Sequence, residues 1–309
     1  MWFKNLRFYR LTKPFELSPE DLHQQLTQNV FQPCAAIAPF SYGWVPPLGH
    51  NSELLTHATN GNIMVCARKE EKLLPPAVVR EFVAEKVGAI EQEQGRTLRR
   101  KEREEIRNEV LLDLLPRAFT RSSYTYAYLT PREKILVVDA TTATKAEDLI
   151  RHLRETLGSF PVTPLTTNHA PSNILTRWLN GEKVPTDFVI ADQCELRDPK
   201  KEGGVVRCSQ QDLLAEEIQS HLKAGKQVTR LAIEWRERLS CILSDDLTIK
   251  RLKFLDVVLD AAQEQGTEDE AAQFDADFAL MTLELSRFIP ALIEVFGGEN
   301  DSALATGAS

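Results

Sequence analysis

The chain has 309 residues, of which 42% are hydrophobic and 27% charged, with a formal net charge of −8. That length suits two domains or one large domain with an insertion, and the composition is that of a soluble globular protein with a substantial core. No apolar run approaches the roughly 18 to 20 residues that span a bilayer, and the opening Met1-Trp2-Phe3-Lys4-Asn5-Leu6-Arg7 lacks the uninterrupted apolar core of a secretory signal, so a cytoplasmic protein is expected.

Residues 3 to 11 alternate in character and predict a strand. Ser18-Pro19-Glu20-Asp21 combines an N-cap serine, a proline at the first helical position and an acid at the third, which predicts a helix to about Gln28. Gly43-Trp44-Val45-Pro46-Pro47-Leu48-Gly49 is expected to be a loop because its prolines deny backbone donors, with Trp44 either a ligand platform or a plug on the core. Asn62 to Arg68 reads as a short apolar strand. Pro75-Pro76 then open a helix over 77–94, whose Val79, Phe82, Val83, Val87 and Ile90 share one face. Gly95 offers a break, and a second helix is expected to run to Leu115, where Pro116 stops it.

Arg96, Arg99, Arg100, Arg103 and Arg107 fall at i, i+3, i+4, i+7 and i+11, so one continuous helix would carry them as a basic stripe. Glu102, Glu104, Glu105 and Glu109 lie on other azimuths, while Val110 and Leu114 share the arginine face. The pattern fits a basic arm that packs at its C-terminal end. A solvated charged helix is the plain alternative.

Strands resume over 123–129 and 134–140, where Ile135-Leu136-Val137-Val138 is apolar on both faces and therefore central in a sheet. Thr144-Lys145-Ala146-Glu147 reads as a capping box leading a helix that ends at Gly158. The proline-bearing run from Phe160 to Pro171 is the expected domain boundary. Beyond it, 188–196 and 203–208 read as strands, 214–224 as a helix, and 228–235, 239–243 and 247–254 as an antiparallel meander turning at Ser244-Asp245-Asp246. A helix over 274–296, apolar nearly all round and containing Pro290, belongs in a core or an interface, and the Ala/Ser/Gly tail beyond it is expected to be disordered. The fold class is thus α+β, with mixed or antiparallel sheets and a helical arm inserted in the N-terminal part. Residues 1–74 and 122–165 would form a central domain, 75–121 the arm, and 166–309 a C-terminal α+β domain.

The acidity is confined. Residues 255–309 hold one basic residue against twelve acidic ones, and residues 1–254 hold 36 basic against 33 acidic. Binding of a polyanion follows the local field of a patch, so the acidic total does not exclude nucleic acid. Cys34, Cys66, Cys194, Cys208 and Cys241 form no Cys-x-x-Cys pair, and the six histidines are scattered, so neither a disulfide framework nor a metal site is expected. Gly203-Gly204 lacks the Lys-Ser/Thr of a P-loop and the third glycine of a dinucleotide fingerprint. Asp192, Asp198, Asp245 and Asp246 could bind Mg²⁺ for a nuclease, but acids at such positions are ordinary turn formers. A binding protein without cofactor, rather than an enzyme, is the expectation.

The sequence resembles the bacterial recombination-associated RdgC family from end to end. The resemblance rests on Met1 to Leu6, Gly43-Trp44-Val45-Pro46-Pro47, Ala67 to Pro75, Leu114-Leu115-Pro116-Arg117-Ala118-Phe119, Lys145-Ala146-Glu147-Asp148, Gly203 to Arg207 and Phe274 to Phe278. It implies a ring-shaped homodimer with a basic central hole that binds double-stranded DNA, with single-stranded DNA as a further partner, without marked sequence preference. It also implies restraint of RecA-mediated recombination, action at replication forks and residence at the nucleoid. Phe119 would dock on the partner subunit beside the equivalents of Gln210 and Gln211, and the C-terminal part would supply a second, broader interface. Family members often carry lysine where this chain has Ser209 and Gln210, so the contact there would be polar.

With the stripe, the candidate DNA contacts are Arg96, Arg99, Arg100, Arg103, Arg107 and Arg117, together with Lys226 and Arg230 at the start of the meander. Lys/Arg facing phosphates with few interleaved aromatics suits sequence-independent duplex binding. The alternative is a protein-interaction module that contacts recombinase through the acidic C-terminal part, with DNA secondary.

Overall fold

The computed structural model describes residues 1–200, 203–264 and 269–300, and the tail expected to be disordered falls on 301–309, outside the described residues. The strands are β1 Leu6–Leu11, β2 Phe40–Val45, β3 Thr56–Thr59, β4 Asn62–Lys72, β5 Thr120–Thr130, β6 Ile135–Asp139, β7 Val162–Pro164, β8 Phe188–Arg197, β9 Val205–Ser209, β10 Gln227–Trp235, β11 Leu239–Ser244 and β12 Ile249–Phe254. The helices are α1 Pro19–Leu26, α2 Pro76–Gln94, α3 Arg100–Leu114, α4 Ala143–Leu157, α5 Pro171–Leu179, α6 Glu216–Lys223, α7 Asp256–Glu264 and α8 Glu270–Val295. The fold is α+β, and its strands join in one 12-stranded antiparallel sheet of order β2-β4-β5-β6-β1-β12-β11-β10-β8-β9, with β3 paired to β4 and β7 to β1. The two halves of the sheet meet where Leu6 on β1 faces Ile249 on β12.

Two cores lie on opposite faces of this sheet. On one face Leu6, Phe8, Met64, Tyr128 and Val137 from the first half join Leu231, Ile233, Trp235 and Leu243 from the second, beneath α5, α6 and α8. On the other face Tyr9, Val65, Leu129, Leu136 and Val138 pack against α1 and α4. This second core stops with the first half. Past β1 the face it would continue on carries no helix among the described residues, and the strands are bare there. Ile135 to Val138 are all buried, as expected of a strand covered on both sides.

Local chemistry sets the element ends. Ser18 accepts a hydrogen bond from the Asp21 backbone at 3.0 Å to start α1. Gly95, at φ 62°, supplies the left-handed residue that stops α2. The helix expected from a capping box at Thr144 starts earlier: Thr142 is the N-cap, accepting from the Lys145 backbone at 3.3 Å. The 43–49 loop is also shorter than its prolines suggested. Gly43, Trp44 and Val45 pair with β4, and only Pro46 onward leaves the sheet. Trp44 is the plug rather than a platform: fully buried, it donates its indole N–H to Thr156 Oγ1 at 3.0 Å. Losing that indole to alanine would cost about 3–5 kcal/mol.

Candidate nucleic-acid interface

The arm is a hairpin of α2 against α3, inserted between β4 and β5, with a small core of its own from Val87, Leu98, Ile106 and Val110. One continuous helix is not formed, which changes the fate of the stripe. Arg96 and Arg99 precede α3 in the turn, and Arg100, Arg103 and Arg107 stay on its surface. Glu102 accepts two bonds from Arg96, at 2.6 and 3.0 Å, and one from the Arg99 backbone at 2.7 Å. Those bonds hold its carboxyl down to about 2, the Arg96 contact first among them. Arg103 reaches across to Glu91 on α2 at 2.9 Å. The turn geometry therefore spends two of the five guanidiniums on fastening the hairpin tip, and Arg99, Arg100 and Arg107 have no ion pair among the described residues.

Arg117 lies in the short 3-10 turn Leu115–Arg117 at the arm's base, and Phe119 next to it is 84% exposed. Gln210, at φ 58°, and Gln211 follow β9 on the surface. Lys226 precedes β10, and Arg230 lies on it. The arm residues and the β9–β10 residues thus belong to separate regions of the chain's sheet, the first beyond β4 and β5, the second at the far end of the strand order.

The bare face of β8 to β12 gathers a second group of cationic side chains, apart from those of the arm. Strand alternation sends Cys194 and Leu196 of β8 into the core and Gln193, Glu195 and Arg197 outward. Across the ladder Glu195 is paired with Arg207 on β9 and Arg230 on β10. Its carboxylate, 4% exposed, receives Arg207 Nε at 2.8 Å, an Arg230 nitrogen at 3.3 Å, one of Arg197 at 3.4 Å and the Thr229 hydroxyl at 3.2 Å. Burial pushes this carboxyl up, and the Arg207 bond with the Arg230 charge outweighs burial, so it titrates below its ordinary value. One anion orients three guanidiniums, and the excess positive charge points to solvent.

Of the three register shifts in these strands, two shape the same surface. Thr229 is the extra residue between Val228 and Arg230 where β10 faces Leu196 and Glu195. On β12 the register shifts opposite Ser240 and Ile242, and Arg251 takes φ 51°, a left-handed conformation that only glycine adopts freely. The extra residue inverts the alternation. Ile249, Leu252 and Phe254 all reach the core, and Lys250, Arg251 and Lys253 all face out. The resulting cleft of about 350 Å³ is lined by strand residues alone, among them Glu195, Arg207, Arg230, Lys250 and Arg251. Of these, sequence reasoning had singled out Arg230. Lys-Arg-Leu-Lys on β12 was the available signal for the others, masked by the broken period.

Of the acids weighed as Mg²⁺ ligands, two serve turns: Asp198 accepts from the Lys200 backbone at 3.0 Å and Asp246 from the Thr248 backbone at 3.1 Å. Among the described residues no group of three His, Cys, Asp or Glu is placed to hold a metal ion, and no helix is long and apolar enough to cross a membrane.

Comparison with known proteins gives this arrangement a lineage. Residues 1–299 match the family described as "Putative exonuclease, RdgC". The chain is 50% identical over 302 residues to the recombination-associated protein RdgC of Aeromonas hydrophila subsp. hydrophila, covering 98% of this chain and 100% of that one. It is 46% identical over 299 residues to the protein of that name from Tolumonas auensis, covering 97% and 99%. Against that from Yersinia pestis the identity is 44% over 299 residues, with the same coverage. The family description speaks of an exonuclease and the relatives' names of recombination. Matched over nearly its whole length by both, the chain belongs to the RdgC family.

Proposed function

We propose that the chain binds double-stranded DNA without regard to sequence, as a ring-shaped homodimer, and by occupying DNA restrains RecA-mediated recombination and acts at replication forks. The bare sheet face carries the reading. Arg197, Arg207, Arg230, Lys250, Arg251 and Lys253 project from neighbouring strands, with Glu195, Glu234 and Asp245 among the acids beside them. Such a surface offers charge to a phosphate backbone and no helix or ribbon to enter a groove, which is the chemistry of sequence-independent binding. Arg99, Arg100 and Arg107 on the arm, and Lys226 beside β10, would extend the same field.

The dimer is supported by exposed apolar groups that a monomer leaves wet. Phe119 is the most exposed large apolar side chain among the described residues, and it would dock on a second copy beside Gln210 and Gln211. Val257 on α7 and Leu283 on α8 are exposed on the C-terminal part, where the broader contact would form. Buried aromatic anchors of this kind carry most of an interface's energy.

A salt titration of duplex binding, combined with a measurement of mass in solution, tests the reading. Affinity should fall steeply and linearly on a log–log plot, equally for unrelated sequences, with the mass of a dimer. Salt-independent or absent binding would remove the DNA assignment. Progressive shortening of the duplex by the purified protein in Mg²⁺ would make it the exonuclease of the family description instead.

A further inference from the structure

The arm carries a second surface that DNA does not explain. Along one side of the hairpin runs a groove of about 780 Å³ between α2 and α3. Its floor is apolar: Val79, Val83 and Val87 lie at successive turns of α2, and Leu111 of α3 closes the far side. Ala84 and Gly88 are one turn apart on the same wall, and a Cβ added to Gly88 would meet no atom within 4 Å. The two small residues therefore leave a trough into which another helix could settle. Cations flank the trough. Arg103 is held by Glu91, but Arg80 and Arg107 face it with no carboxylate of the described residues within 4.0 Å.

We infer that this groove seats an acidic amphipathic helix presented by a partner protein. A duplex offers phosphates to Arg80 and Arg107 but nothing to cover the valines. A helix with an apolar stripe covers the floor, and Asp or Glu on its flanks pairs the two free guanidiniums. From Leu74 to Glu91 the groove matches a partner helix of about 17 residues, or roughly 25 Å. This surface is separate from the bare face of β8 to β12, and Arg107 is the one residue it shares with the arm's candidate DNA contacts, so competition by a duplex is part of the test.

The probe is a fluorescein-labelled synthetic peptide of about 18 residues, with leucines at i, i+3, i+4 and i+7 and glutamates on both flanks, titrated with the full-length protein and read by anisotropy. Saturable binding is expected, with a scrambled peptide of the same composition binding about tenfold more weakly or worse. The double variant Arg80→Glu, Arg107→Glu should lose at least about tenfold. Gly88→Trp, which fills open space without straining α2, should abolish binding while the circular dichroism spectrum stays that of the parent. Equal binding of the scrambled peptide, no saturable binding, or unchanged affinity in Gly88→Trp would overturn the inference. So would displacement of the peptide by a short duplex, which would make the groove part of the nucleic-acid site.

Discussion

Arg251→Gly separates the ligand-facing role of the bare sheet face from its architecture. Arg251 holds a left-handed conformation, φ 51°, within β12, and among the described residues its side chain makes one long hydrogen bond, to Gln193 Oε1 at 3.4 Å. A non-glycine residue there costs about 1–2 kcal/mol, and glycine's greater freedom when unfolded returns about 0.5–1 kcal/mol of that. The variant should therefore be more stable by up to about 1 kcal/mol, with its urea midpoint raised and its m-value unchanged. If Arg251 neutralises one phosphate, the log–log salt slope of duplex binding becomes shallower by about 0.9, which near 0.1 M salt is about an eightfold loss of affinity. A stability gain with weaker DNA binding is the signature of a strained functional residue. Unchanged binding would take Arg251 off the interface. A loss of more than about 1 kcal/mol would show that the arginine, and not the backbone it tolerates, holds the bulge.

Other perturbations probe the supporting structure. Glu195 titrates below its ordinary value when folded, so its contribution is present above about pH 4.3 and is lost as pH falls through the lower folded value. Glu195→Gln should flatten acid unfolding in that window, and an unaltered acid limb would mean the arginines do not stabilise the carboxylate. Glu284 on α8, fully buried, is gripped by Arg238 at 2.6 and 2.7 Å, so Arg238→Ala should destabilise by about 3–5 kcal/mol in urea, whereas a loss below about 1 kcal/mol would refute that role. Val110→Asp should melt the α2/α3 hairpin and leave the sheet intact, seen as amide exchange rising over 76–114 alone. Exchange rising in β10 and β11 as well would mean that the hairpin and the sheet unfold as one unit.

How much of this was legible depended on the range over which each signal acts. Pro75-Pro76, Gly95 and Pro116 act within a turn or two, and they mark both helices of the arm to within a few residues. The meander of β10 to β12 was legible because Leu231, Ile233 and Trp235 keep strict alternation. β3 was missed, since Thr56 to Thr59 has no apolar period and gains its place only by pairing with β4. The stripe was over-read: Gly95 reverses the chain, and the turn that follows takes Arg96 and Arg99 off the helix. The basic sheet face was illegible for a different reason. Register shifts break the alternation at Arg230 and Arg251, and the anion that organises three of its arginines is Glu195 on β8. The join of the two half-sheets through Leu6 and Ile249 links residues at opposite ends of the chain, which no local pattern encodes.

The attachment of the arm has a consequence for chain entropy. β4 and β5 are ladder neighbours down to Lys72 and Thr120, and the Leu73 amide still donates to the Phe119 carbonyl at 2.7 Å. The sheet has thus already brought the two ends of the excursion together, so the cost of closing it grows only with the logarithm of its length. A short turn could replace everything from Leu74 to Ala118 and leave an ordinary β-hairpin, and for the same reason the arm can lengthen or shorten at little cost to the sheet.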